Sequence, residues 1–183
     1  MKDADYVMPS PTQLFSPASN LIPFLQNTSG NRSTMAGRHM EQAIPLRDRE
    51  APLVQTMVSA NHPSKRTFND VLGAQSSHKA SVGGEVVKIG PDGITIKDEK
   101  GKKHEVQIYD NFPLNDEKSF LHSDPSVKLG DKVKAGQVVA DTNFTRGGQL
   151  AMGTNLRAAY TPLKGYNFED GVVISESAAQ KLS

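Results

Sequence analysis

The spacing of apolar residues changes along the chain, from a helical pattern near the N-terminus to alternation further on. In residues 9–26 apolar side chains recur at helical spacing, but Pro17 and Pro23 interrupt the pattern. Because proline breaks the interior of a helix, this stretch predicts short helical turns and no long helix. A second helical pattern follows, with Ser29 or Asn31 as the expected N-cap.

Residues 80–139 alternate between β-branched segments and turn signals, which is the pattern of a β-meander. The dipeptides Asp92-Gly93 and Lys100-Gly101 are expected at its bends. Further on, two glycine turns between apolar strand ends are typical of a compact β sandwich. The fold class that follows is mainly β with short helices.

Two more short strands are predicted near the C-terminus, at residues 156–160 and, buried, at residues 171–175. With them the chain divides into three parts. These are an irregular helical and extended segment (1–60), a β-rich region (61–150) and a segment of strands (151–183).

Composition restricts the classes of protein that the chain can belong to. Apolar residues make up 36% of the sequence and the mean hydropathy is −0.49, so the core is expected to be thin and to need partner surfaces. No apolar run approaches the roughly 20 residues that span a bilayer, and the N-terminus lacks a signal peptide, which predicts a cytoplasmic protein. The absence of cysteine excludes disulfide scaffolds and thiolate zinc sites, so any metal must be bound by oxygen or imidazole.

Net charge is only +1, but residues 27–66 carry six basic residues against three acidic ones. Such a segment is either a solvated basic surface, the commoner case, or a site that meets phosphate. The basic residues are Arg32, Arg38, Arg47, Arg49, Lys65 and Arg66.

Two adjacent carboxylates, Glu169 and Asp170, lie between an aromatic residue and Gly171. Neighbouring side chains of an extended chain point to opposite faces, so both can bind one ion only where the backbone turns, as Gly171 permits. Carboxylates on a turn suit Mg²⁺, which completes its shell with water and phosphate. An acidic surface turn is the commoner reason for an isolated pair of this kind.

The whole string at residues 155–176, with Asn167-Phe168-Glu169-Asp170 at its centre, resembles a block of the β subunit of bacterial-type, multisubunit RNA polymerase. Three further blocks resemble the same subunit in the same order, at residues 16–25, at residues 30–45 with 50–54, and at residues 127–141 followed by 150–153. The resemblance implies a barrel-sandwich-hybrid-like region at 61–150 and, at 151–183, the start of the β-subunit active-site barrel.

The resemblance also implies roles for particular residues. Arg32 is expected to contact the triphosphate of the incoming nucleotide, with Met35 near the nucleotide and Gln42 near the RNA 3′ end. Glu169 and Asp170 are expected to act at the active centre by holding the second, nucleotide-borne Mg²⁺ directly or through water. Residues 38–41 differ from the sequence usual in the family, so the family's contacts at those positions are not expected of these side chains.

The activity implied is that of a DNA-directed RNA polymerase, a nucleotidyltransferase, in which this chain is one subunit or fragment. It is not expected to act alone, because the family's main Mg²⁺ site lies on the β′ subunit. Expected partners are a β′-like subunit, the remaining β segments, template DNA, the RNA transcript and NTPs, with no membrane. These sequence differences favour a β subunit that is divided into separate chains, as in large bacteriophages, and that would act in the infected host cell.

Two alternatives from other classes stay open at this point. Residues 127–139 also resemble the glycine-turn pattern of biotinyl and lipoyl carrier domains, but residues 140–148 contain no lysine for cofactor attachment. The other alternative is a structural interaction module that has lost catalysis.

Overall fold

A computed structural model describes residues 6, 8, 11–59, 65–114 and 120–182 of the chain. Its helices are α1 (Pro17–Asn20), α2 (Gly30–Glu41), α3 (Phe68–Ser76) and α4 (Glu176–Leu182), with 3₁₀ turns at Pro11–Leu14 and Leu25–Asn27. Its strands are β1 (His78–Lys79), β2 (Gly84–Ile89), β3 (Gly93–Lys97), β4 (Lys103–Gln107), β5 (Phe112–Pro113), β6 (Phe120–Leu121), β7 (Ser123–Pro125), β8 (Lys132–Val133), β9 (Val138–Thr142), β10 (Thr145–Arg146) and β11 (Gln149–Leu150).

Short helical turns form the N-terminal segment, as the prolines predict. Of the two expected caps for α2, the structure uses Ser29, whose Oγ accepts a hydrogen bond from the Arg32 amide at 3.4 Å. The buried Gly37 faces α1, since a Cβ there would lie in ordinary contact with the Ser19 hydroxyl, at 3.5 Å. One face of α2 is therefore turned towards α1 and the opposite face is open.

The β-rich region contains the two-stranded sheets β5-β6 and β10-β11 and two larger antiparallel sheets. One has the order β4-β3-β2-β8 and the other β1-β9-β7. The core consists of small and β-branched side chains from both sheets and from the segments that join them: Ala80, Val86, Ile94, Ile96, Ile108, Val127, Val133, Val139 and Ala140. Alternation along β3 puts Ile94 and Ile96 on the inner face, and Val106 of β4 packs against the core partly buried. The mainly β fold with short helices is thus confirmed, and the described residues form no closed barrel.

The predicted bends are also present. Gly93 begins β3 directly after the first bend, and the second lies between β3 and β4, where Gly101 has φ 84°. The two later glycine turns use Gly130 and Gly136, at φ 86° and 81°, which side chains other than glycine rarely adopt. The turn residues of the sequence therefore correctly predict where these strands begin and end.

Helix α3 packs on the hairpin of β10 and β11. A capping box begins the helix, since the Thr67 side chain accepts from the Asp70 amide and the Asp70 carboxylate accepts from the Thr67 amide. Gly73 allows the close approach, because a Cβ there would lie 2.4 Å from the Gly148 carbonyl oxygen. The Asn69 amide donates to the Leu150 carbonyl at 3.1 Å and fixes the contact.

The two strands predicted at residues 156–160 and 171–175 are wrong. The structure assigns no strand to either segment, and all ten residues are exposed. Val172 is 82% exposed, so the predicted burial of the second segment is also wrong. An apolar run becomes a strand only where another strand completes its hydrogen bonds, and no described segment pairs with these two.

The division at residues 60 and 150 stays a prediction, and residues 60–64, around the first boundary, lie outside the described ranges. No helix within the described part of the chain is both long and apolar enough to cross a membrane.

Candidate functional site

The open face of α2 carries the residues predicted to meet the nucleotide. Arg32 lies in the first turn, Met35 one turn later, and Gln42 is the C-cap; all three are exposed. At about 100° per residue, positions 32, 35 and 42 lie on one side of the helix, and buried Gly37 lies on the other. The Arg32 guanidinium contacts the Met35 sulfur at 3.9 Å, so the structure brings these two side chains together.

The Arg32 guanidinium has no acidic partner among the described residues. An exposed guanidinium without a carboxylate keeps its planar set of donors available for an anion such as phosphate. The open face of α2 can therefore bind an anion at its N-terminal end without first breaking an ion pair.

Glu169 and Asp170 lie on a turn, as predicted, but the turn is made differently. The left-handed residue is Glu169 itself, at φ 53°, whereas Gly171 is needed for space, since a Cβ there would lie 3.0 Å from the Tyr166 carbonyl oxygen. Asn167 organises the turn from inside: its Oδ1 accepts from the Leu163 amide at 2.8 Å, and its Nδ2 donates to a backbone carbonyl at 2.7 Å. The acidic pair thus sits on a defined loop.

Both carboxylates are exposed, and none of the hydrogen bonds or ion pairs found in the described residues uses them. The described residues hold no cluster of three or more potential metal-ligating side chains. Two adjacent carboxylates do not fit a metal held by protein alone. They fit Mg²⁺ that arrives with water and phosphate oxygens already in its shell.

No hydrogen bond or ion pair in the described residues joins Arg32 to Glu169 or Asp170 directly. The two parts of the site are connected instead through the segment that follows α2. There the Leu46 amide donates to the Met152 carbonyl at 2.8 Å, and the Glu50 amide donates to the Gly153 carbonyl at 2.7 Å.

The Glu50 carboxylate is the most strongly perturbed group in this connection. The hydrogen bond from the Asn155 amide, the Lys181 ammonium and the Asn155 side chain together lower the pKa of Glu50 from 4.5 to about 2. Glu50 is therefore ionised at neutral pH. Sequence reasoning missed it, because its partners are more than 100 residues away along the chain.

Arg49 is the second residue whose role the sequence did not show. It was counted with the basic surface, but only 5% of it is exposed. Its guanidinium donates to the carbonyls of Thr145 at 2.8 Å and Thr142 at 2.6 Å, and to the Asp124 carboxylate at 2.9 Å. Burial opposes ionisation of Asp124, but the hydrogen bond and charge of Arg49 outweigh it and lower the pKa of that carboxyl. Arg49 is thus a structural residue and not a phosphate ligand.

The segment that resembles carrier domains leads into a buried polar turn. Asp141 accepts hydrogen bonds from the Thr145 hydroxyl and from the amides of Gly147 and Gly148, at 2.8–2.9 Å. Because residues 140–148 contain no lysine, this turn lacks the attachment point that a carrier domain needs for its cofactor.

Comparison with known proteins agrees with the motifs. Residues 79–181 match the family model of RNA polymerase Rpb2, domain 6. Relatives named DNA-directed RNA polymerase subunit beta include that of Rhodomonas salina, 39% identical over 173 residues, which are 94% of this chain and 15% of the relative. That of Thermosynechococcus vestitus is 37% identical, over 97% of this chain and 15% of the relative. That of Mycoplasmopsis synoviae is 35% identical, over 96% of this chain and 14% of the relative.

The chain thus spans about 15% of the length of the relatives it matches. The family match covers more than half of the chain, and it includes the acidic turn. The chain belongs to the family of RNA polymerase Rpb2, domain 6, and is similar over nearly its whole length to β subunits of DNA-directed RNA polymerase.

Proposed function

We propose that this chain is part of the β subunit of a DNA-dependent RNA polymerase and helps to bind the incoming nucleotide. Arg32 contacts the triphosphate, Met35 packs beside the nucleotide, and Gln42 lies near the RNA 3′ end. The observation that carries the proposal is the exposed Arg32 guanidinium, which lies beside Met35 on the open face of α2 and has no acidic partner among the described residues. Similarity to β subunits over 94% or more of the chain supports the same assignment.

Glu169 and Asp170 take part by holding the Mg²⁺ that the nucleotide carries, directly or through water. Two exposed carboxylates on a locally ordered turn can complete the shell of an ion that is otherwise bound by phosphate and water. Phosphoryl transfer with two metals needs further converging carboxylates, which a β′-like subunit would supply with the main Mg²⁺. The remaining β segments, template DNA and the transcript complete the assembly, and the purified chain alone is expected to synthesise no RNA.

The nucleotide role is tested by replacing Arg32 with Ala in the complex that a tagged chain forms in its native source. Loss of a charge-assisted hydrogen bond of roughly 1.5–3 kcal/mol should lower kcat/KM for NTPs about ten- to a hundredfold. A matched control is Lys102→Ala, which removes an exposed positive charge from the turn before β4. Unchanged nucleotide dependence in the Arg32→Ala complex would mean that Arg32 does not touch the triphosphate.

The metal role is tested by the double variant Glu169→Ala, Asp170→Ala, with Glu99→Ala as an exposed acidic control. The elongation rate should fall while assembly and template binding stay intact, and higher Mg²⁺ should restore part of the rate. Normal elongation at low Mg²⁺ would contradict this role. A defect confined to assembly would instead favour the alternative of a structural module.

A further inference from the structure

One carboxylate holds both ends of the loop that carries the acidic pair. At the start of the loop, the Asn155 amide and side-chain nitrogen donate to Oε2 of Glu50 at 2.9 and 3.0 Å. At its end, the Lys181 ammonium on α4 donates to Oε1 of the same residue at 3.0 Å. Residues 155–181 are thereby closed into a loop, which we call the acidic loop.

The middle of the acidic loop has little to hold it in place. Residues 156–166 and 168–177 are exposed, and no strand occurs between residues 156 and 175. The bonds of Asn167 shape the turn around Glu169 and Asp170, but their partners, Thr161 and Leu163, are part of the same loop. Local order in the turn therefore does not fix where the turn lies relative to α2.

Glu50 itself belongs to a well-fixed part of the molecule. Its amide donates to the Gly153 carbonyl at 2.7 Å, and its neighbour Arg49 is buried and bonded to two carbonyls of the β9–β10 region. The segment that contains both residues leads directly from the C-cap of α2. Glu50 thus links the nucleotide-binding helix on one side to both ends of the acidic loop on the other.

We propose that Glu50 is a positioning residue, whose carboxylate fastens both ends of the acidic loop and so holds Glu169 and Asp170 in a fixed place relative to α2. This rests on the proposed function, because closing the loop affects the reaction only if Glu169 and Asp170 bind Mg²⁺. The low pKa of Glu50 agrees with it, since the carboxylate stays charged wherever the polymerase would work.

The test uses Lys181→Met in the assembled complex, which opens the C-terminal end of the loop and leaves the Asn155 bonds in place. Lys181 is 51% exposed at its side chain, so loss of folding is not expected. The Mg²⁺ concentration for half-maximal elongation should rise about two- to fivefold, the range for loss of one exposed ion pair, while the rate at saturating Mg²⁺ stays within about twofold. Amide exchange at residues 163–171 should become faster.

Two further variants separate positioning from a general structural effect. Lys181→Arg keeps the ion pair and should restore both the Mg²⁺ requirement and the slow exchange, and Glu50→Gln should reproduce Lys181→Met. Lys134→Met removes an exposed lysine from the turn before β9 and should change neither readout. A rate that falls equally at all Mg²⁺ concentrations, or exchange at 163–171 that is unchanged in both Lys181→Met and Glu50→Gln, would overturn the proposal.

Failure of the proposed metal role gives a different result. In that case the Glu169→Ala, Asp170→Ala variant also leaves the Mg²⁺ requirement unchanged, while exchange at residues 163–171 still reports whether Glu50 fastens the loop. Faster exchange in Lys181→Met and Glu50→Gln without any change in the Mg²⁺ requirement would then show that Glu50 fastens the loop. It would refute the link between this fastening and the metal.

Discussion

Replacing the buried Arg49 should destabilise the whole chain, although a count of charges places it on a basic surface. In Arg49→Met the aliphatic part of the side chain keeps its packing, but the carbonyls of Thr142 and Thr145 lose their donors. Leaving a buried acceptor unsatisfied costs about 1–3 kcal/mol for each group. The Asp124 carboxylate is 51% exposed, so its ion pair adds about 1 kcal/mol at most. The expected loss of unfolding free energy is about 2–7 kcal/mol.

Urea unfolding of the chain, followed by circular dichroism, measures this loss. Arg47→Met is the matched control, since that side chain is exposed and only its backbone carbonyl contacts Arg49; it should stay within about 0.5 kcal/mol of the wild type. Arg49→Lys should fall between the two, because one ammonium cannot reproduce the planar fork of the guanidinium. A loss below about 1 kcal/mol in Arg49→Met would refute the structural role of Arg49.

Two further predictions concern α3 and Glu50. Gly73→Ala should lower the free energy of unfolding by about 1–3 kcal/mol in the same assay, because the added Cβ meets backbone atoms of the β10–β11 hairpin; the exposed substitution Gln75→Ala should not, and equal stabilities would contradict the close packing. The folded-state pKa of Glu50 lies below its ordinary value, so its contribution to stability is complete above pH 4.5 and is lost as pH falls towards 2. Acid titration of Glu50→Gln should therefore show a shallower loss of stability in that window than the wild type, and identical slopes would contradict the assignment.

Features that depend on neighbouring residues in sequence were predictable. A polar N-cap at Ser29 or Asn31, the bends at Gly93 and Gly101, and the shared face of Arg32 and Met35 all follow from local backbone chemistry and helical geometry. The mainly β fold follows from the same local patterns, because turn residues delimit the strands.

Features that depend on distant partners were not predictable. Arg49 contacts a carbonyl 96 residues away, and nothing in its own segment distinguishes it from the exposed arginines around it. Residues 171–175 have the composition of a buried strand, but a strand also needs a neighbour, which the pattern of one segment cannot reveal. For the candidate site, the sequence identified the turn at Glu169 and Asp170 but not the carboxylate that closes the loop around it.

The positive φ of Glu169 limits which amino acids this position can accept, independently of charge. At φ 53° asparagine, aspartate and glycine are tolerated, whereas valine and isoleucine are strongly disfavoured. In a library of all substitutions at this position, Glu169→Asn should therefore keep the loop conformation and lose only the negative charge. Glu169→Val should lose both the loop conformation and the charge. Sorting such a library first by protease resistance and then by activity would separate the demands of the backbone from those of the chemistry.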